Sequence, residues 1–149
     1  MRSVIQRVSQ AHVEVEGTII GSINQGLLVL LGVAEEDDMK DLAYMVDKTL
    51  NLRIFQDQQD KMNLSVQDIQ GEILVISQFT IQGDARKGRR PSFINAGNPE
   101  KAASLYEQYI EELKKSGLKI ACGQFAAMMK VHLINDGPVT ILLDSQKLF

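Results

Sequence analysis

Cysteine is nearly absent from this chain: Cys122 stands alone among 149 residues. One thiol can form no internal disulfide and cannot supply a multi-cysteine metal cage, which fits a reducing compartment and makes the cytoplasm the expected location. Proline is scarce, at three residues, and neither a low-complexity tract nor an internal repeat is visible, so no linker or disordered tail is expected. Long apolar runs are missing too. The longest, GLLVLLGVA at Gly26–Ala34, falls far short of the roughly 20 residues a spanning helix needs, and Gln6 and Arg7 interrupt any amino-terminal signal core. No membrane attachment or export is expected.

Excess positive charge is also absent. A net charge of −3 argues against nucleic-acid binding driven by bulk electrostatics, although a local cluster can still hold a few phosphates. Such a cluster exists in ARKGRR, Ala85–Arg90, which gathers Arg86, Lys87, Arg89 and Arg90. What remains is ordinary: 44% hydrophobic and 23% charged residues over a length that suits one domain, residues 1–149, burying roughly 68–70% of its unfolded surface.

The common signatures of hydrolases and transferases are missing as well: no HExxH, GxSxG, GxxxxGK[ST] or GxGxxG occurs. The two histidines, His12 and His132, lie in strand-like stretches, with His132 sharing a face with Lys130, and both read as surface or structural residues. The acidic run Glu35–Asp38 suggests a magnesium site, but it stands where a helix start favours negative charge. An enzyme built from this chain needs little acid–base help from its side chains.

The elements that are present describe an α+β domain. Val4, Val8, Val13 and Val15 with polar neighbours, then Gly17, predict short strands in a hairpin; Gly26–Ala34 predicts a strand buried on both faces. Met39, Leu42, Ala43, Val46 and Leu50 recur at helical spacing behind Asp37 or Asp38 as cap. EILVIS, Glu72–Ser77, predicts a strand whose end opens onto a loop. Asn98 as cap, Pro99 at the first helical position and Ala102, Leu105, Tyr106, Tyr109, Ile110 and Leu113 on one face predict a second helix, ended by Gly117. The segment Phe125–Asp136 alternates, with Met129, Val131 and Leu133 on one side; NDGPVT, Asn135–Thr140, then breaks it before ILL resumes the strand. The expected fold is a mostly antiparallel or mixed sheet, barrel-like or layered, with two main helices packed on it.

Three stretches together, SQFT (Ser77–Thr80), RRPSF (Arg89–Phe93) and NDGPVT, with IQRV (Ile5–Val8) and KMNLSV (Lys61–Val66), resemble the D-aminoacyl-tRNA deacylase family over essentially the whole length. Ile81 after SQFT departs from the leucine common there, a like-for-like apolar change. The resemblance implies hydrolysis of the ester joining a D-amino acid to the terminal adenosine of tRNA, and clearance of glycine mischarged on tRNA(Ala). It implies a cytoplasmic homodimer with a cross-subunit active site, no metal and no cofactor. It also implies a chiral filter in which Gly137 and Pro138 form a Gly-cis-Pro pair that rejects L-aminoacyl groups by backbone collision. Arg7 matches a position that braces this pair, and Phe125 and Met129 match pocket-side positions, although core packing is an equal reading of those three.

An aminoacyl ester is already activated, so such an enzyme needs chiefly donors for the developing oxyanion and an oriented water or hydroxyl. The amides of Gln78, Phe79 and Thr80, where the strand beginning at Glu72 stops, are the candidate donors, with Ser77 beside them. Thr80 is either the nucleophile or, with Gln78, a positioning group while the terminal ribose 2′-hydroxyl assists; the lack of a visible base favours the second. Arg86, Lys87, Arg89 and Arg90 are candidates for tRNA phosphates, and Phe79 or Phe93 for stacking on the terminal adenine. Two rivals stand beside this reading, a non-catalytic RNA-binding module and a general serine or threonine esterase.

Overall fold

A computed structural model describes residues 1–148. Along the chain run β1 (Arg2–Val15), β2 (Thr18–Ile23), β3 (Gly26–Gly32), α1 (Met39–Asn51), β4 (Phe55–Gln56), β5 (Met62–Leu64), β6 (Glu72–Ser77), a 3-10 turn (Phe79–Gln82), α2 (Pro99–Lys114), β7 (Ile120–Cys122) and β8 (Lys130–Asp144). β1 is the hub. Its first half pairs antiparallel with β3 and its second half with β2, while β8 runs antiparallel along the opposite edge for its whole length. β3 continues parallel to β6, and β6 parallel to β7, so the sheet is mixed. It curls until β2 meets β7: a Cβ built on Gly21 would stand 2.9 Å from the Cys122 carbonyl oxygen. Glycine at that point is what lets the barrel nearly close.

The continuous apolar runs are explained by two cores. Leu27, Val29 and Leu31 of β3, with Ile73 and Val75 of β6, face the helices, whereas Leu28, Leu74 and Ile76 face the barrel interior. Strands covered on both faces need no polar alternation. Each such side chain contributes roughly 1.5–3 kcal/mol by leaving water. Val8 and Ala11 of β1 both face the interior despite their odd separation, because the pairing with β8 shifts at Ser9.

The helices start where their caps predict. Asp38, not Asp37, caps α1: its carboxylate accepts from the Lys40 amide at 2.7 Å and its own amide donates to Asp41 at 2.9 Å. Asp37 is buried instead, accepting from the Ala34 amide at 2.6 Å and pairing with the Met1 ammonium. Glu35 accepts from the Asn98 amide at 2.8 Å. Most of the acidic run is therefore spent on fixing local structure. Asn98 caps α2 through the Lys101 amide at 3.0 Å, and Pro99 follows in the first turn. Tyr109 joins α2 to α1 by a buried 2.6 Å bond with Thr49, and the Tyr106 hydroxyl donates to Val75 O of β6 at 2.9 Å. Burial pushes both phenols well above their usual pKa.

One expectation is corrected. NDGPVT does not divide two strands; β8 runs through it. Gln6 pairs with Thr140 and Val8 with Asn135, so the segment from Asp136 to Val139 bulges out opposite the single residue Arg7. Among the described residues no helix is long and apolar enough to cross a membrane.

Candidate active site

β6 is buried from Ile73 to Ile76 and ends abruptly. The Gln78 amide still donates to Leu31 O of β3, at 2.8 Å, and the chain then turns away into Phe79–Gln82. Of the three amides expected to face an oxyanion, that of Gln78 is therefore occupied. Those of Phe79 and Thr80 open the turn and precede its internal bonds, so they have no acceptor within it. The Gln78 side-chain amide donates to Thr80 Oγ1 at 3.2 Å, which fills a lone pair and leaves the hydroxyl proton to point elsewhere. No histidine or carboxylate hydrogen-bonds Thr80 among the described residues. A nucleophilic hydroxyl without a base is a poor one at neutral pH.

Phe79 is 57% exposed, and Phe93 packs edge-on against it with ring centroids 5.1 Å apart. Phe93 also lies over Gly83, where a Cβ would meet its Cε1 at 2.9 Å. These two aromatics and Thr80 form one accessible surface at the end of a buried strand. Ser77 is half-buried as the last residue of the ladder, paired with Leu31.

The Asp136–Val139 bulge is built the other way round. Gly137 has φ +138°, and the peptide joining it to Pro138 is cis. Both residues are exposed, whereas Val139 is buried in the helix-side core. Arg7, itself 7% exposed, holds the bulge from within: Nε donates to Asp136 O at 2.8 Å and Nη1 to Ile54 O at 2.7 Å. Asn135 spans its base, accepting from the Val139 amide at 2.7 Å and donating to Thr140 Oγ1 at 3.0 Å. Sequence reasoning missed Asn135 as a holder; an asparagine that opens a Gly-Pro turn is the signal that could have found it. The bulge and the Thr80 turn share no hydrogen bond or ring contact among the described residues.

The remaining candidates separate. Phe125 packs on Tyr106 with centroids 5.9 Å apart, and Met129 sits over Gly123, where a Cβ would be 2.5 Å from its sulfur. Both join the core clusters as half-buried members. In the basic loop, closed by paired backbone bonds between Asp84 and Ser92 at 2.8 and 2.9 Å, Arg86 is held by the Asp84 carboxylate at 2.9 and 2.6 Å. The same contact holds the Asp84 carboxyl far below the usual carboxylate range. Lys87, Arg89 and Arg90 are exposed, with no ion pair among the described residues. His12 and His132 stack across β1 and β8 at 4.4 Å, with Glu14 Oε2 3.8 Å from His132. They lie on different residues from either candidate surface. A cavity of about 290 Å³ opens behind the turn, lined among others by Arg2, Glu36, Ile94 and Asp144, and only Gln82 of the turn reaches it.

Comparison with known proteins places the chain in a family. The profile of the family described as D-Tyr-tRNA(Tyr) deacylase matches residues 4–144. The chain is 60% identical over 149 residues to a D-aminoacyl-tRNA deacylase of Clostridioides difficile (strain 630), and 56% identical over 149 residues to one of Thermotoga petrophila, covering 100% of each chain in both cases. Among solved structures it superimposes on the c-Myc DNA Unwinding Element Binding Protein with a TM-score of 0.92 at 47% identity, covering 97% of this chain and 98% of that one. A probable eukaryotic D-amino acid tRNA deacylase shares the fold at a TM-score of 0.83 and 17% identity, over 95% and 97% of the two chains. With a full-length match in sequence and in fold, the chain belongs to the D-Tyr-tRNA(Tyr) deacylase family.

Proposed function

We propose that this protein hydrolyses D-aminoacyl-tRNA to free D-amino acid and tRNA, with the Phe79–Gln82 turn as the reacting surface. Family membership makes it a hydrolase of the aminoacyl-tRNA ester. The observation that carries the rest is the turn itself: an accessible hydroxyl at Thr80, oriented by Gln78 at 3.2 Å, beside two amides with no acceptor in the turn and with no base bonded to it. Such a surface stabilises charge and orients groups but does not generate a nucleophile.

In this mechanism a water oxygen attacks the ester carbonyl carbon. The Phe79 and Thr80 amides receive the developing oxyanion. The terminal ribose 2′-hydroxyl assists in orienting and deprotonating the water, and the departing ribose oxygen takes up the proton as the tetrahedral intermediate collapses. No metal or cofactor enters. Thr80 and Gln78 position; Phe79, with Phe93 beside it, offers a face to the terminal adenine. Arg89, Arg90 and Lys87 meet acceptor-stem phosphates, while Arg86 is already shared with Asp84.

Chirality is read by the exposed backbone at Gly137 and Pro138. A backbone filter excludes an L side chain by collision and is indifferent to which D side chain arrives. Glycine has nothing to collide, so glycine mischarged on tRNA(Ala) is also cleared. The filter serves the Thr80 turn of a second copy: among the described residues the two surfaces share no hydrogen bond or ring contact within one chain and β8 pairs only with β1, leaving its other edge and exposed Ile134 and Leu142 for a partner. The active unit is then a homodimer, acting in the cytoplasm.

The test is deacylation of one tRNA charged with D-tyrosine and, separately, with L-tyrosine. Rapid loss of the D ester with the L ester intact is expected. Equal cleavage of both, extending to small esters without tRNA, would instead make the protein a general esterase; binding without cleavage would make it an RNA-binding module.

A further inference from the structure

The turn that carries Phe79 and Thr80 is held from behind by the last two residues of β3. Leu31 O takes the Gln78 amide at 2.8 Å. At Gly32 there is no room for a side chain: a Cβ would lie 2.5 Å from Ile81 Cγ1 and 2.9 Å from Gln78 O. The bare Cα of Gly32 is the seat on which the turn rests. Its carbonyl oxygen then accepts from Gln82 Nε2 at 2.8 Å, and Gln82 is only 5% exposed.

Gln82 is an unusual residue to bury at the end of an exposed turn. A carboxamide inside the protein is costly unless bonded, and here its bond reaches Gly32 O. The turn is a single 3-10 stretch whose bonds at its two ends are unequal: the Ile81 amide lies 3.5 Å from Gln78 O, at the limit of a bond, and the Gly83 amide donates to Thr80 O at 3.0 Å. Thr80 therefore sits midway between two anchors on β3, the Gln78 amide before it and the Gln82 side chain after it. Releasing the second lets the Thr80 end swing about the first.

We propose that Gln82 is a positioning residue for deacylation: by donating to Gly32 O it fixes the Phe79 and Thr80 amides and the Thr80 hydroxyl in reacting register. This rests on the turn being the reacting surface. Gln82 spends its side-chain donor on Gly32 O and borders the cavity lined by Arg2, Ile94 and Asp144, so it acts through the backbone rather than on the substrate. A displacement on the order of 1 Å at a reacting group costs about 10²-fold in rate, so partial release is expected to cost about tenfold or more.

The test compares wild type with Gln82→Met, which keeps the length of the side chain and removes the donor, and Gln82→Glu. For D-tyrosyl-tRNA, kcat of Gln82→Met is expected to fall about tenfold or more with KM changed far less, since the phosphate contacts of Lys87, Arg89 and Arg90 lie outside the turn. In the same protein, hydrogen exchange at the Gly83 amide should quicken while exchange at Val75 in β6 stays at the wild-type rate. Gln82→Glu should be impaired at pH 7.5 and recover relative to wild type toward pH 5, because the protonated acid can donate to Gly32 O and burial raises its pKa. A kcat within about twofold of wild type together with unchanged Gly83 exchange overturns the proposal. Faster Gly83 exchange with unchanged kcat overturns it as well, and removes the turn from the chemistry. A wild-type protein inert on D-tyrosyl-tRNA sinks the proposed function alone; the exchange measurement then still decides whether Gln82 holds the turn.

Discussion

The two irregular segments of this protein are built on opposite plans. At Phe79–Gln82 the chain leaves β6 and presents side chains, an aromatic ring and a hydroxyl, while main-chain groups of β3 hold it in place. At Asp136–Val139 the chain bulges out of β8 and presents main chain, the Gly137–Pro138 backbone, while the side chains of Arg7 and Asn135 hold it. A surface that must touch a substrate's reacting atoms gains from chemically distinct side chains. One that must judge shape without favouring any side chain gains from backbone, which every residue shares. The same sheet supplies both because its central strand, β1, borders β3 on one edge and β8 on the other.

The contrast predicts where damage is worst. Gly137→Ala forces a Cβ to 2.7 Å from Val139 Cγ2 and 2.9 Å from Arg7 Nη2, at a φ of +138° that L residues rarely adopt. Deacylation of D-tyrosyl-tRNA should fall more than about 10²-fold, and the loss should appear in kcat/KM measured with excess enzyme. Arg7→Met is next. It removes donors to Asp136 O and Ile54 O from a buried site, so stability should drop by about 2–3 kcal/mol in urea unfolding. Activity should fall by roughly tenfold to 10²-fold as the bulge loosens. If Arg7→Met left activity intact while lowering stability, the bulge would be held adequately by Asn135 alone.

At the other segment the presented group matters less than the frame behind it. Thr80→Ala removes the hydroxyl but neither the Phe79 and Thr80 amides nor the anchors on β3, so single-turnover deacylation should fall by less than about tenfold. A loss of about 10³-fold or more would restore Thr80 as nucleophile. The outcome also separates the two plans: a turn that works through its backbone after all would resemble the bulge more than its exposed side chains suggest.

Much of this was legible in the residues. The continuous run Gly26–Ala34 announced a strand covered on both faces, Glu72–Ser77 announced a strand ending at a loop, and Asn98-Pro99 announced the start of α2, because burial and capping act over a few neighbouring residues. SQFT and NDGPVT were visible as special stretches. Of their supports, Arg7 was named only through the family resemblance, and Asn135, Gly32 and Gln82 were not named as such. That Gln78's amide is taken by Leu31, and that the Gly-Pro segment is a bulge within one strand, both depend on pairing with strands distant in sequence. Arg86 looked equivalent to Arg89 for the same reason: its partnership with Asp84 needs the loop to fold back at Ser92.

That last inequality gives the smallest and sharpest prediction. An exposed arginine that meets a phosphate releases a counterion, so Arg89→Ala or Arg90→Ala should reduce the slope of log binding against log salt by about 1 each, uniformly across tRNA sequences. Arg86→Ala should change it much less, because Asp84 already neutralises that guanidinium: the substitution removes one charge but leaves its partner facing the RNA. The side-chain hydrogen bond from Arg86 is the largest cause of the depressed Asp84 pKa. A depressed carboxyl contributes its pairing above its unfolded pKa, about 3.9, and loses it only as pH falls through the lower folded value. The pair is thus intact from pH 5 to pH 8, and filter-binding titrations at both ends should give the same small effect for Arg86→Ala. The double variant Asp84→Asn, Arg86→Ala should bind tRNA more tightly than Arg86→Ala alone, since it removes the stranded carboxylate. Were Arg86→Ala to change the slope as much as Arg89→Ala, the guanidinium would have exchanged Asp84 for a phosphate on binding, and the loop would be remade by its substrate rather than prepared for it.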